Sequence, residues 1–264
     1  MRTPGRTLTA LRERGPLVHN ITNLVAMDLT ANLLLAAGAS PLMAHAREEL
    51  PEVVAASDAL AINIGTLSLS WVETMVQAAQ AASDGGTPWV LDPVGAGATA
   101  YRTESAARLV ALGPTAIRGN GSEIMALADA ASGASPRGVD SAVQSVEALD
   151  AAFQLARQSG ACVAVTGAVD YVTDGVNMTA VADGVPLLGK VTAMGCGLSA
   201  LVAGCLAVTH RPRDAVAHAL AILGVSGEIA AQAADGPGSL RWRLLDAIHG
   251  LDAENLDAMA RIQE

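Results

Sequence analysis

The run Lys190–Gly204, KVTAMGCGLSALVAG, sets a cysteine just after a glycine-containing turn and at the start of an apolar helix. A helix start carries unpaired backbone N–H groups and the positive end of the helix dipole, so it can bind a phosphate or stabilise one in transit. Cys196 stands there, where a thiol pKa is expected to fall and a reactive group is well aimed. Asp92 precedes Pro93-Val94-Gly95-Ala96-Gly97. The two glycines let the backbone approach a ligand, and a carboxylate there can hold a divalent cation directly or through water. Arg118 precedes Gly119; its planar fork suits phosphate oxygens, although a surface ion pair is the commoner fate of an arginine. Asn120 and Glu123, three apart, have the spacing of a capping box. Thr166, before Gly167, reads as a strand-end hydroxyl, Asn23 as a helix cap and Met43 as core filler. Cys162 and Cys205 read as small buried thiols. Together these residues point to an enzyme that handles phosphate.

The elements that must position them alternate. Short apolar runs read as strands: Pro41–Met43, Ala59–Ile64, Trp89–Leu91 ending at Asp92, Thr115–Ile117 ending at Arg118, and Ala161–Val165. The helical patterns are Thr22–Ala37, Ser70–Ser83, Glu104–Leu112, Ser122–Ala130 and Gln144–Gln158, and helices are expected from Cys196 onward. Lys190 is read as a strand end. Asp174-Gly175 and Asp183-Gly184 have the composition of hairpin turns. Ala131–Asp140 is the clearest loop, too short to divide two domains, so one domain over residues 1–264 is expected. Strands alternating with helices predict an α/β fold, a mostly parallel sheet covered on both faces. Ligands in such sheets bind beyond the carboxyl ends of the strands. The polar residues at those ends are Asn63, Asp92, Arg118 and Thr166.

Composition narrows the partners. A net charge of −10 argues against nucleic acid and anionic membrane, and 2% aromatic content offers no series of base-stacking platforms. Three cysteines without metal spacing fit a reducing, cytoplasmic setting. Val191–His210 carries no formal charge over 20 residues, but its glycines and turn chemistry make it a buried central helix rather than a membrane span. The five histidines have no metal spacing.

Six segments in order, with a further echo at Asp235–Ile248, resemble the hydroxyethylthiazole kinases of the ribokinase-like superfamily. They are His19–Glu49, Asn63–Leu67 (NIGTL), Leu91–Ala106 (LDPVGAGATAYRTESA), Ile117–Ile124 (IRGNGSEI), Val165–Gly175 (VTGAVDYVTDG) and Lys190–Cys196 (KVTAMGC). The resemblance implies a three-layer α/β/α fold. It implies transfer of phosphate from ATP to the primary hydroxyl of 4-methyl-5-(2-hydroxyethyl)thiazole, with Mg2+, in a homotrimer whose active sites lie between subunits. It implies a catalytic role for Cys196, where other superfamily members usually carry Asp. By the same resemblance Arg118 and Thr166 contact ATP, Asp92 and Glu123 associate with the metal, and Met43, Asn23, Ala193 and Gly195 lie along the substrate. The chain departs from the usual Gly-x-Gly-Cys: Ala193 replaces the first glycine, Gly197 follows Cys196 where a larger apolar residue is common, and Ala168 stands where an acidic residue is frequent. The alternatives are another ribokinase-like alcohol kinase or ATP-dependent hydrate dehydratase, or a catalytically weak binding homologue.

Overall fold

The structure, a computed structural model, describes residues 3–132 and 145–264. Most of the expected loop at 131–140, and the start of the helix expected at Gln144, lie outside the described residues. Among those residues the strands are β1 (Leu17–Ile21), β2 (Ser40–Met43), β3 (Ala59–Asn63), β4 (Trp89–Asp92), β5 (Ala116–Asn120), β6 (Cys162–Thr166), β7 (Asp170–Thr173), β8 (Met178–Val181) and β9 (Ile262–Gln263). They form one sheet in the order β2-β1-β3-β4-β5-β6-β7-β8-β9. The neighbours from β2 to β6 are parallel; β7, β8 and β9 continue antiparallel. The helices are α1 (Pro4–Arg14), α2 (Met27–Ala37), α3 (Leu50–Ala56), α4 (Leu69–Gly85), α5 (Ala100–Val110), α6 (Gly121–Ser132), α7 (Leu149–Ser159), α8 (Met194–Val208), α9 (Pro212–Ala231), α10 (Pro237–Gly250) and α11 (Ala253–Met259).

Two cores cover the two faces. One joins the sheet to α1, α2 and α8 to α11, the other to α3 through α7. The strands feed them in alternation, because successive side chains point to opposite faces. Ala59, Ala61, Val90, Ala116 and Ala164 enter the first core; Leu60, Ile62, Trp89, Leu91, Ile117 and Val163 enter the second. Small residues on the first face let α8 lie close against β3 and β4. Helix α9 is long and apolar enough to cross a membrane, yet 83% of its apolar stretch is buried inside the fold.

Several local expectations change. The helix expected from Thr22 begins at Met27, because the Asn23 carboxamide oxygen accepts from the N–H groups of Val25 and Ala26 (both 3.1 Å) and closes a turn instead. The helix expected from Glu104 starts at Ala100, capped by Thr99. Lys190 ends a 3₁₀ turn, Pro186–Lys190, not a strand. Asp174-Gly175 turns the β7–β8 hairpin, whereas Asp183-Gly184 turns none: β8 takes β9 as its next neighbour, so the last stretch is not wholly helical. The strand β1 and the helices α1 and α3 had no counterpart in the sequence pattern.

Candidate active site

Continuing the alternation of each strand by one step decides where its last polar residue points. Asn63 is in phase with Ala61, Asp92 with Val90, Arg118 with Ala116 and Thr166 with Ala164. All four therefore face α8, at the carboxyl rim of the sheet. Register sets Asn63 beside Asp92, while Arg118 lies beside Ala164, two residues before Thr166.

A chain of hydrogen bonds runs along this rim. Asp92 is fully buried, and its Oδ2 accepts from Asn63 Nδ2 (2.7 Å) and from Ser199 Oγ on α8 (2.9 Å). Asn63 Oδ1 in turn accepts from Asn23 Nδ2 (2.7 Å), which also reaches the Cys196 Sγ at 3.3 Å. The other Asp92 oxygen, Oδ1, has no hydrogen-bond partner and lies 3.9 Å from Arg118 Nη1. Burial lifts the Asp92 pKa to about 7, against the pull of Arg118 and with the help of the Glu123 charge. Burial, with Asp92 nearby, also pushes the Cys196 thiol up to about 11, against the hydrogen bonds from Asn23 and Asn63 and the charge of Arg118. The expected fall in the thiol pKa is thus reversed: desolvation outweighs the helix start, and the sulfur is a neutral S–H at pH 7.

Arg118 is the hinge of the site. Its Nη2 donates to Thr166 Oγ1 (2.6 Å), while Nε is buried without a partner. A Cβ on Gly195 would lie 2.6 Å from Arg118 Nη1, so glycine lets the first turn of α8 meet the guanidinium where it stands, and a larger residue would push its end aside. Ala193, the residue before that helix, adopts φ 64° and ψ 7°, the only non-glycine positive φ among the described residues. For an L-residue this left-handed backbone costs roughly 1–2 kcal/mol. The strain sits where the chain turns to aim the N–H groups of α8 into the cleft. Gly197 leaves room that Leu33 of α2 takes up: a Cβ there would fall 2.2 Å from Leu33 Cδ1.

Beyond Arg118 and Thr166 opens a cleft of about 520 Å³. Arg118, Thr166, Asp170 and Gly195 give it polar walls; Val185, Pro186, Leu188, Leu220 and Leu223 give it apolar ones. Asp170, whose Oδ1 accepts from Gly167 N–H (2.8 Å), has its pKa raised to about 6 by burial.

Glu123 meets Asn120 in the capping box its spacing predicts. Its Oε2 accepts from Asn120 N–H (2.8 Å), and Asn120 Oδ1 accepts from Glu123 N–H (2.9 Å). Its Oε1 takes the N–H of Gly95 (2.9 Å), tying α6 to the Pro93–Gly97 loop. Among the described residues no three His, Cys, Asp or Glu side chains form a metal cluster. Met43 lies at the same rim but at the outer end of the sheet, in register with Asn20 of β1; the next residue, Ala44, offers its carbonyl to the buried His19 Nε2 (2.9 Å). The structure therefore gathers Asn23, Asp92, Arg118, Thr166, Gly195 and Cys196 around α8, with Glu123 one layer behind and Met43 two strands away from Asn63. Sequence reasoning assigned no role to Ser199 or Asp170. Ser199 follows Cys196 by three residues on one helix, which is the signal for a shared face; Asp170 carries no comparable signal.

The model of the hydroxyethylthiazole kinase family matches residues 8–254. The chain is 53% identical, over 98% of its length and 97% of the relative's, to a hydroxyethylthiazole kinase from Rhizobium leguminosarum bv. trifolii. It superposes on the hydroxyethylthiazole kinase protein from Pyrococcus horikoshii with a TM-score of 0.92 and 43% identity, covering 98% of both chains. The pyridoxal kinase from Staphylococcus aureus in complex with AMP-PCP, 17% identical, shares the fold at a TM-score of 0.59 over 80% of this chain and 88% of its own.

Proposed function

The chain belongs to the hydroxyethylthiazole kinase family, and from that premise we propose how its cleft phosphorylates the primary hydroxyl of 4-methyl-5-(2-hydroxyethyl)thiazole with ATP as donor. The observation that carries the reading is the convergence of four strand-end side chains on the first turn of α8, with Cys196 bonded to Asn23 on one side and Arg118 bonded to Thr166 on the other. That divides the site into a thiazole side and a nucleotide side, with the glycine-containing turn between them.

On the thiazole side, Asn23 and the backbone around Ala193 and Gly195 orient the alcohol, and Met43 closes its outer edge. Cys196 presents a neutral thiol whose sulfur accepts a hydrogen bond from the hydroxyl; the hydroxyl proton leaves late, to the oxygens of the transferred phosphoryl group, as the new O–P bond forms and the bond to ADP breaks. That suffices for a loose transition state, in which positioning and charge stabilisation dominate. On the nucleotide side, Arg118 and Thr166 hold phosphate oxygens. The N–H groups at the start of α8 face the charge that develops on the transferred group. Asp92 fits a hard cation, because one oxygen is already fixed by Asn63 and Ser199 while Oδ1 is buried and unpartnered. Asp92 would hold Mg2+, with Glu123 adding charge behind the Pro93–Gly97 loop that it ties down. When bound, the ion would supply neutralising charge to the phosphates.

Assembly as a homotrimer belongs to the same reading. Leu24 (66% exposed), Val25 (62%) and Leu69 (77%) are large apolar side chains on the thiazole side, and Leu24 N–H bonds Thr66 Oγ1 there. A second copy of the chain laid over them would cover the substrate entrance. The acidic charge and three free cysteines support a cytoplasmic protein without nucleic-acid or membrane partners.

A coupled assay is expected to show ADP release that requires both the thiazole alcohol and Mg2+. Equal release with hydroxymethylpyrimidine, or none with either alcohol, would refute the assignment.

A further inference from the structure

The nucleotide side of the cleft has a wall held by residues that have no part in the site described above. The segment after β8 lines the cleft through Asp183, Gly184, Val185, Pro186 and Leu188. Its 3₁₀ turn, Pro186–Lys190, contains no fully buried residue; Leu187 and Leu188 pack against the core only in part, so packing alone holds it weakly. It is instead seated on α9 and latched there. A Cβ on Gly224 would come within 2.5 Å of Asp183 Cβ, and one on Gly227 within 2.7 Å of Leu188 Cδ1. Glu228, next along α9, accepts from Gly184 N–H through Oε1 (2.7 Å). Arg261, just before β9, pairs with Glu228 through its two terminal nitrogens, Nη1 and Nη2, and donates Nε and Nη2 to the Ala182 carbonyl (2.9 and 2.7 Å). The Arg261 backbone N–H donates to the buried Asp183 carboxylate (3.0 Å). Arg261 Nη2 also pairs with Asp183 Oδ1 (3.4 Å), so Arg261, shared between Glu228 and Asp183, holds the wall on both sides of Asp183.

We propose that Glu228 and Arg261 are positioning residues for the nucleotide. Their pair keeps the Asp183–Leu188 wall in its ligand-ready form, so that the base and ribose end of the donor finds a surface that need not be ordered on binding. They act through the wall backbone, and they leave the thiazole side untouched. The identity of the ligand rests on the kinase reading above.

The test uses the full chain. Arg261→Ala is expected to raise the Kd for ADP by calorimetry, and the KM for ATP, about tenfold each, the loss of one charged hydrogen-bond network. The KM for the thiazole alcohol stays within about twofold. Glu228→Gln shifts the same two constants in the same direction. The double variant falls short of the sum of the two single effects, because the two residues share one ion pair while each keeps its own backbone anchor. Where Arg261→Ala fails to fold, Arg261→Lys, which loses the fork to Ala182 and Glu228, carries the same expectation. An ADP Kd within about twofold of the parent in a folded variant overturns the proposal. So does a rise in both KM values together, which would mark general loosening. ADP titration needs no turnover, so an absence of thiazole kinase activity in the parent would refute the kinase reading while this result stands apart.

Discussion

At the scale of single residues, the chemistry of the site departs most from its sequence where burial acts. By sequence Cys196 is a thiol primed by a helix start; with its surroundings dry and Asp92 near, its pKa rises to about 11 instead. Asp92 shows the same effect with a consequence for stability. Its folded pKa of about 7 lies above the usual 3.8, so the folded chain keeps a proton that the unfolded chain gives up as pH rises past about 4. The stability this contributes is whole below pH 4 and is lost as pH rises through about 7. Asp92→Asn removes the ionising group. Without divalent cations the variant is expected to match the parent near pH 4 and to exceed it at pH 8. The excess is at most about 4 kcal/mol, since each tenfold change in proton affinity is worth about 1.4 kcal/mol. Turnover in the same variant falls roughly a hundredfold or more. Thermal melts from pH 4 to 8 check the stability change, and parallel curves for the two proteins would contradict it.

At the scale of elements, the rim works because α8 comes close. The alanines of β3, β5 and β6 on one phase make room for it, and Gly195 lets its first turn meet Arg118. Gly195→Ala is expected to keep the fold, since alanine favours a helix by about 1 kcal/mol over glycine. It is expected to lower kcat/KM for ATP about tenfold or more by displacing the guanidinium from Thr166. An unchanged kcat/KM in a folded variant would remove Arg118 from the nucleotide path. The elements legible in the sequence are those with a local apolar run or helical spacing: β2 to β6, α2, α4 to α7 and the apolar α8, with the starts of α2 and α5 shifted by a few residues. The elements β1, β9, α1 and α3 lack such a signal. The strand β1 carries His19 and Asn20, polar residues in a buried strand; β9 is two residues long and exists only because β8 offers an open edge. The Thr22–Ala26 stretch has helical composition, and one carboxamide, Asn23, turned it into part of the site.

At the scale of the whole molecule, the proposed assembly would cover the open side of the thiazole cleft. Sedimentation equilibrium is expected to give three times the chain mass, and Leu24→Asp to shift it toward the single chain with a raised KM for the thiazole alcohol. A parent monomer with full thiazole turnover would exclude the trimer. What the amino-acid sequence by itself determined is the repertoire and its phase. Alternating strands and helices place Asp92, Arg118 and Thr166 at one rim, and period-two patterning turns them to one face, because both follow from local geometry. The folded chain alone decided which of these groups touch. Asn23 meets Cys196 across 173 residues and Ser199 meets Asp92 across 107. It also decided the proton on the thiol and the latch of Glu228 on Arg261. Those contacts depend on burial and on segments far apart in the chain, and neither is encoded in any window short enough to read.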